Sequence, residues 1–228
     1  MATSLRMMTV RFDLPLRRCE VPFFRGAAIR SAGKEHTMFH NHLGDRFAYR
    51  YPLIQYRTFG GRAAMVCIND GIEQIQALFS SEFLTENVVL NGTNRGQIGI
   101  EDIRIHEYAL TELDTPITYH LNYWLPLNQQ NYHGWKILES DESRLTKLEA
   151  ILTGNILAFA KGMGWQIQQH FQVAIEPQTI ITYPSLYKDQ SLISFSLDFT
   201  VGLFLPPGIG LGKGAALNHG VLSHPIRM

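Results

Sequence analysis

The residues with the clearest chemical potential are two histidines, His40 and His42, in the segment FHNHLGDRFAYRY. Imidazoles titrate near neutral pH, so two neighbouring ones can supply one proton acceptor and one proton donor. The same pair could instead provide two metal ligands, with His36 or Asp45 as a third. Another interpretation is that both histidines only form hydrogen bonds in a loop. Tyr49 follows closely and could orient a histidine or donate a hydrogen bond to a charged oxygen.

A second unusual segment, PPGIGLGKGAALNHG, lies near the end of the chain. Glycines let backbone amides approach and cradle a phosphate, and a lysine among them adds a point charge. The segment is not a P-loop, because no Ser or Thr follows the lysine, and no long helix follows it as in a dinucleotide-binding fingerprint. The alternative is a flexible terminal loop. The residues expected to bind phosphate are Gly208, Gly210, Gly212, Lys213 and Gly214.

Charge is unevenly distributed, although the formal net charge of the 228 residues is zero. Residues 1–62 contain 11 lysines and arginines against four acidic residues, and the rest of the chain has an acidic excess of the same size. Such asymmetry indicates an anionic ligand for the basic part. A basic face that is merely solvated would give the same count.

Composition excludes several classes of protein. Two cysteines, Cys19 and Cys67, allow neither a disulfide framework nor a multi-cysteine metal site. The first residues lack the features of a signal peptide, and no apolar run is long enough to cross a bilayer. We therefore expect a cytoplasmic protein that does not associate with a membrane.

The elements that must position these residues follow from hydrophobic periodicity and turn signals. In the N-terminal half we expect a first strand, a helix over 21–31, a hairpin over 50–57 and 62–68, and a helix that Asp70 and Glu73 begin as a capping box. The pattern restarts after residue 111. There we expect a strand over 117–125, a helix over 141–161 with Ser140 as N-cap, and strands over 179–183 and 193–205.

This order predicts an α+β protein with two tandem ferredoxin-like (RRM-like) domains. Each would be an antiparallel sheet with its helices packed on one face. The expected boundaries are 1–112 for an N-terminal domain that carries the histidines and 113–228 for a C-terminal domain that carries the glycine-rich segment.

The combination resembles one family. Tandem ferredoxin-like order, an early His-x-His with a trailing tyrosine, and a terminal glycine-rich loop are similar to the CRISPR-associated endoribonucleases that cut repeat RNA, the Cas6 family of the RAMP superfamily. The segments FRGAAIRS, FHNHLGDRFAYRYPLIQYR and GIGLGKGAALNHG carry the resemblance. The histidine block is most similar to the subset with two catalytic histidines followed by a tyrosine.

The resemblance implies cleavage without metal or cofactor, in which a ribose 2′-hydroxyl attacks the neighbouring phosphate and leaves 2′,3′-cyclic phosphate and 5′-hydroxyl ends. One of His40 and His42 would accept the hydroxyl proton, and the other would protonate the leaving oxygen. Tyr49, with Lys34 or Arg46, would stabilise the extra negative charge on the phosphate.

The resemblance also implies that repeat RNA is the partner and that arginines hold its phosphates, namely Arg25, Arg30, Arg50 and Arg57. Other CRISPR-associated proteins and a second copy of the chain remain open as further partners. Three rival functions also stay open. They are an RNA-binding CRISPR subunit without activity, a metal-dependent hydrolase using His36, His40 and His42, and an enzyme that binds a small phosphate ligand in the glycine loop.

Overall fold

The computed structural model describes residues 3–33, 35–39, 42–43, 46–47 and 51–224, and at positions 42–43, 46–47 and 129–130 it describes only the backbone. The N-terminal half contains β1 (Thr3–Pro15), α1 (Val21–Ala32), β2 (His42–Leu43), β3 (Arg46–Phe47), β4 (Ile54–Phe59), β5 (Arg62–Ile68), α2 (Asp70–Phe79), β6 (Val89–Leu90), β7 (Thr93–Asn94) and β8 (Ile100–Leu110). The C-terminal half contains β9 (Glu112–Trp124), α3 (Gln129–Lys136), α4 (Asp141–Gly162), β10 (Val173–Ile175), β11 (Ile181–Tyr187), β12 (Gln190–Leu203) and β13 (Val221–Ser223).

The chain divides into two compact units. The first consists of Ser4–Tyr108 together with Ala216–Asn218, and the second is formed mainly by Ala109–Ala215. Three residues within the glycine-rich segment, Ala216–Asn218, therefore belong to the first unit, although they lie near the end of the sequence.

The sheet of the first unit has the strand order β4-β5-β1-β8, and β5 pairs antiparallel with both β1 and β4. Helix α1 follows β1 and helix α2 follows β5, and with this strand order the unit has the ferredoxin-like arrangement. Helix α1 buries Val21, Phe24 and Ala28, which recur at helical spacing and form one stripe. Phe24 packs edge-on against Phe12 of β1, with ring centroids 5.6 Å apart, and against Tyr56 of β4 at 6.0 Å. The core of this unit therefore lies between its helices and one face of the sheet.

The start of α2 differs from the prediction. The helix begins at Asp70, and the residue before it, Asn69, makes no side-chain capping bond. The Asn69 side-chain oxygen instead accepts a hydrogen bond from the Arg6 amide at 2.9 Å, and Glu73 pairs with the Arg6 guanidinium at 2.5 Å. The predicted capping box of Asp70 and Glu73 is wrong, because Asp70 is already the first helical residue and the Glu73 carboxylate pairs with Arg6 of β1.

The sheet of the second unit has the order β10-β12-β9-β13, with β11 also paired to β12. Helix α4 buries a stripe that contains Leu148, Leu152, Ile156 and Phe159, and the Ser140 hydroxyl accepts the Ser143 amide at its start, both as predicted. Residues 204–220, all of which are described, form no helix between β12 and β13. The second unit is therefore a ferredoxin-like fold in which the glycine-rich segment replaces the second helix.

These observations confirm the predicted fold class of tandem ferredoxin-like units with antiparallel sheets. No helix within the described ranges is long and apolar enough to span a bilayer.

Candidate active site

The residue that precedes the paired histidines is held by hydrogen bonds from two other elements. Phe39, which is 1% exposed, immediately precedes His40. Its carbonyl oxygen accepts a hydrogen bond from the phenol of Tyr56 in β4 at 3.1 Å and a longer one from Nε of Arg25 in α1 at 3.4 Å. Tyr56 is fully buried, and burial raises the pKa of its phenol well above the usual range, so the hydroxyl keeps its proton and remains a donor. The backbone next to His40 is thus attached to both a strand and a helix.

The other end of the same segment is also attached to β4. Nε2 of Gln55 donates to the Tyr51 hydroxyl at 2.9 Å and to the Pro52 carbonyl at 3.0 Å. The opposite atom of this amide, Oε1, accepts a hydrogen bond from the Arg57 guanidinium. Gln55 and Arg57 are both fully buried. A buried arginine therefore orients the glutamine, and the glutamine holds residues 51 and 52.

Between these two anchored ends, β2 and β3 pair as an antiparallel hairpin. His42 lies opposite Phe47, and Leu43 lies opposite Arg46. The structure describes only the backbone at His42 and Arg46. His40 and Tyr49 lie outside the described residues, as do Lys34 and Arg50, so their convergence in one site stays a prediction.

Three of the arginines predicted to hold phosphates are described, and they differ in exposure. Arg30 is exposed, and its guanidinium donates to the Val89 carbonyl at 3.2 Å. Arg25 is half-buried and donates to Phe39 as described above. Burial lowers the pKa of Arg57 to about 10, and its guanidinium donates to the protein's own Gln55. Of these three, Arg30 has the exposure that a phosphate contact requires, and the roles of Arg25 and Arg57 in RNA binding stay predictions.

The proposed metal ligands fall only partly within the described residues. The His36 ring lies with Nδ1 3.3 Å from the Gln74 side-chain oxygen and Nε2 3.9 Å from the Glu35 carboxylate. Among the described side chains, no cluster of three or more His, Cys, Asp or Glu could hold a metal ion. His40 and the side chain of His42 lie outside the described part of the chain, so the three-histidine metal site stays a prediction.

The glycine-rich segment pairs with the last strand of the second unit. The Gly208 amide donates to Leu222 at 2.7 Å, the Leu211 amide donates to Gly220 at 2.8 Å, and the Leu222 amide donates to Ile209 at 2.9 Å. Gly210 forms an isolated bridge with Val221. The first part of the segment is therefore strand-like, and its amides are partly used within the protein.

The second part of the segment has the features of a phosphate cradle. Gly212 and Gly214 have φ values of +78° and +74°, which side chains rarely adopt. Their amides donate to no group in the described part of the chain. Between them, Lys213 places its ammonium 5.3 Å from the centre of the Tyr187 ring. Two amides without a described acceptor and an ammonium thus lie within three residues, and their binding of phosphate stays a prediction.

The residues after this cradle return to β4. The Tyr56 amide donates to the Ala216 carbonyl at 2.9 Å, and the Asn218 side chain donates to the Thr58 hydroxyl at 3.1 Å. Ala216–Asn218 thereby extend the edge of the first sheet, next to the strand that holds both ends of the histidine segment. Strand β4 consequently contacts both ends of the histidine segment and, within the same unit, Ala216–Asn218.

A separate basic pocket of the first unit was not predicted. It is lined by Arg17, Arg18 and Arg95 together with Glu20. The Glu20 carboxylate accepts hydrogen bonds from the Arg17 amide at 2.9 Å and from the Arg17 and Arg95 guanidinium groups. These contacts, led by the backbone amide, lower the pKa of Glu20. One carboxylate thus binds two arginines, Arg17 and Arg95, that are far apart in sequence.

The support residues of the histidine segment were also missed from the sequence. Gln55 and Arg57 alternate with Ile54 and Tyr56 in β4, and alternate residues of a strand point to opposite faces. The one sequence feature that could have identified these supports was the pair of polar side chains in an otherwise apolar strand. That feature is typical of an exposed strand face, and it does not by itself indicate a buried hydrogen-bonded pair.

Two ferredoxin-like units, the second with a glycine-rich segment in place of a helix, define a Cas6-type protein of the RAMP class. A crystal structure of Cas6b superposes with a TM-score of 0.84 at 20% identity, covering 97% of this chain and 100% of that one. The crystal structure titled CRISPR RNA processing endoribonuclease Cas6b gives a TM-score of 0.72 at 20% identity, covering 96% and 98% of the two chains. Both likenesses concern the fold.

Sequence comparison identifies the family. Residues 3–108 match the Cas6b N-terminal domain, and residues 111–225 match the Cas6b C-terminal domain. The chain belongs to the Cas6b family, which confirms the resemblance inferred from its motifs. An uncharacterized protein of Methanocaldococcus jannaschii is 27% identical over 123 residues, which cover 54% of this chain and 80% of that protein.

Proposed function

We propose that this chain is a CRISPR-associated endoribonuclease that cleaves repeat RNA in precursor CRISPR transcripts. The observation that best supports the proposal is membership of the Cas6b family over both halves of the chain. A structural relative that covers nearly the whole chain is titled as a CRISPR RNA processing endoribonuclease. The phosphate cradle at Gly212–Gly214 and the basic N-terminal residues are consistent with an RNA ligand.

The proposed chemistry is metal-independent transesterification. The 2′-hydroxyl of the nucleotide before the cut loses its proton to one imidazole of the pair His40 and His42. The resulting alkoxide attacks the adjacent phosphorus in line, and the bond from phosphorus to the 5′ oxygen breaks. The second imidazole, protonated at the start, gives its proton to the departing oxygen. The products carry a 2′,3′-cyclic phosphate and a 5′-hydroxyl, and water is not consumed.

The extra negative charge on the pentacoordinate phosphate is stabilised by hydrogen-bond donors that are positioned before the reaction begins. Tyr49, with Lys34 or Arg46, supplies a hydrogen bond and a positive charge to the non-bridging oxygens. Arg30 and Arg50 hold flanking phosphates, and Arg25 and Arg57 contribute positive charge near the segment that carries the histidines. The glycine cradle with Lys213 holds a further phosphate of the RNA. Affinity should therefore fall steeply with added salt.

The proposal is tested with a labelled RNA of the CRISPR repeat from the protein's own genome. Cleavage is measured in single turnover with EDTA present, for the unmodified protein and for the variants His40→Ala and His42→Ala. The matched control is His106→Ala, which changes an exposed histidine of β8. Binding of the same RNA is measured for every variant.

We expect each of the two variants to cleave roughly 10²- to 10⁴-fold more slowly, the range that general acid–base groups contribute, with RNA binding retained. The control should cleave like the unmodified protein. Binding without any cleavage by the unmodified protein would indicate an RNA-binding subunit instead. Cleavage that EDTA abolishes and added Mn²⁺ or Zn²⁺ restores would indicate a metal-dependent hydrolase.

A further inference from the structure

We propose that Tyr56 and Gln55, with Arg57 behind Gln55, are positioning residues for RNA cleavage, because they fix the two ends of the segment that carries His40, His42 and Tyr49. The inference rests on the proposed function and concerns the hydrogen bonds that these residues make within the protein.

The first end of the segment is fixed by a hydroxyl in the protein core. The Tyr56 phenol reaches the carbonyl of Phe39, one peptide unit before His40. The ring is held on its other side by the Phe24 edge contact. The donor therefore cannot change direction without disturbing the core, and the peptide plane that leads into His40 is held with it.

The second end is fixed by an amide that itself has one allowed orientation. The Arg57 guanidinium only donates hydrogen bonds, so it must face the oxygen of the Gln55 amide and never its nitrogen. This leaves Gln55 Nε2 directed at the Tyr51 hydroxyl and the Pro52 carbonyl. Tyr51 lies two residues after Tyr49 and three before the start of β4, so the chain enters β4 from a set position.

Fixing both ends matters because the segment between them is short. Eleven residues, 40–50, separate Phe39 from Tyr51, and the paired strands β2 and β3 lie among them. A proton donor and acceptor that serve one phosphate must keep near-attack geometry, and displacement by about 1 Å can cost about 10²-fold in rate. Loosening either end would lower the rate constant of cleavage without removing a catalytic side chain.

Two conservative variants test the inference. Tyr56→Phe removes one hydroxyl and leaves the ring in the core. Gln55→Glu keeps an acceptor for Arg57 but removes the donor to Tyr51 and Pro52. The matched control is Tyr119→Phe, a fully buried tyrosine of the second unit whose hydroxyl donates to the Leu203 carbonyl at 3.1 Å. Each protein is assayed for the dissociation constant of uncleaved repeat RNA carrying a 2′-deoxy residue, and for the rate constant and amplitude of single-turnover cleavage.

We expect the cleavage rate constant to fall about tenfold or more in both variants, while the RNA dissociation constant stays within about twofold. The pH–rate curve should keep its shape, because the titrating imidazoles are unchanged. Tyr119→Phe should cleave at the original rate constant. The inference is overturned if the two variants keep the original rate constant, if they lose only amplitude, as partial unfolding would produce, or if Tyr119→Phe loses as much rate. Normal cleavage by His40→Ala and His42→Ala would instead overturn the proposed function, so the two failures are distinguishable.

Discussion

The Tyr56 hydroxyl donates a hydrogen bond to the Phe39 carbonyl at 3.1 Å, and the Tyr56 amide donates to the Ala216 carbonyl at 2.9 Å. One residue of β4 therefore contacts both the peptide that precedes His40 and the chain that leaves the glycine-rich segment. The two segments with chemical potential lie more than 150 residues apart in sequence. Each segment has its own hydrogen-bonded supports, and the following expectations test the roles proposed for these residues.

Replacing Gly214 by alanine should weaken RNA binding. The residue has φ +74°, and a Cβ there would lie 2.9 Å from the His219 ring and 3.0 Å from the Tyr187 ring. The left-handed backbone alone costs about 1–2 kcal/mol with a side chain, and moving the Tyr187 ring removes the surface on which Lys213 rests. We expect a clear rise in the dissociation constant for repeat RNA, measured by fluorescence anisotropy. The control Gly154→Ala, in α4 where a Cβ meets nothing within 4 Å, should bind like the original protein. Equal binding by both variants would contradict a binding role for the cradle.

Replacing Lys213 by glutamine should change the salt dependence of binding. Each phosphate neutralised on a single strand adds about 0.7 to the slope of log affinity against log salt concentration. Loss of the Lys213 ammonium should therefore reduce that slope by about 0.7. Lys147→Gln, at an exposed position of α4, is the control and should leave the slope unchanged. An identical slope for Lys213→Gln would show that Lys213 contacts no phosphate.

Replacing Glu20 by glutamine should lower stability in a pH-dependent way. Hydrogen bonds from the Arg17 amide and from two guanidinium groups lower the pKa of Glu20 in the folded protein. A lowered carboxylate pKa stabilises the fold above the unfolded pKa, and this contribution is lost as pH falls through the folded value. The melting temperature should therefore differ most near neutral pH, and the difference should shrink below about pH 4.3, the ordinary pKa of glutamate. A difference that stays constant into acid would mean that the charge of Glu20 does not contribute.

A 2′-deoxy nucleotide immediately before the cut should prevent cleavage and leave binding intact. The proposed reaction has the 2′-hydroxyl as its nucleophile, and the substitution removes that group alone. The site is first mapped on unmodified RNA, and the same substitution one nucleotide further along serves as the control. Cleavage of the substituted strand at the mapped site would require a different nucleophile.

The sequence predicted α1, α2, α4 and the fold class because their signals are local, but it did not predict α3. The stripe of Leu148, Leu152 and Ile156 has helical spacing, and the Ser140 cap lies next to it. The sequence showed a glycine-rich segment after the last long strand of the C-terminal unit. It did not show that this segment takes the place of the second helix. Its pairing with Val221 depends on residues that come together only in the folded sheet.

The supports of the candidate site could not be predicted for the same reason. The contact between Tyr56 and Phe39 spans a turn and a hairpin, and nothing in either residue type indicates the other. Gln55 and Arg57 have the composition of an exposed strand face, yet both are fully buried and hydrogen-bonded to each other. Contacts of this kind depend on which side chains meet in the folded protein, and the hydrophobic periodicity of the sequence does not predict them.

The chemistry of the cut ends tests the central claim most directly. Repeat RNA is cleaved to completion in EDTA, and the masses of both fragments are measured by mass spectrometry. The account predicts a 2′,3′-cyclic phosphate on the upstream fragment and a 5′-hydroxyl on the downstream fragment, because the ribose oxygen displaces the leaving oxygen without water. A 3′-hydroxyl upstream with a 5′-phosphate downstream would require attack by water from the opposite side, and that result would contradict proton transfer by His40 and His42 to and from a ribose nucleophile.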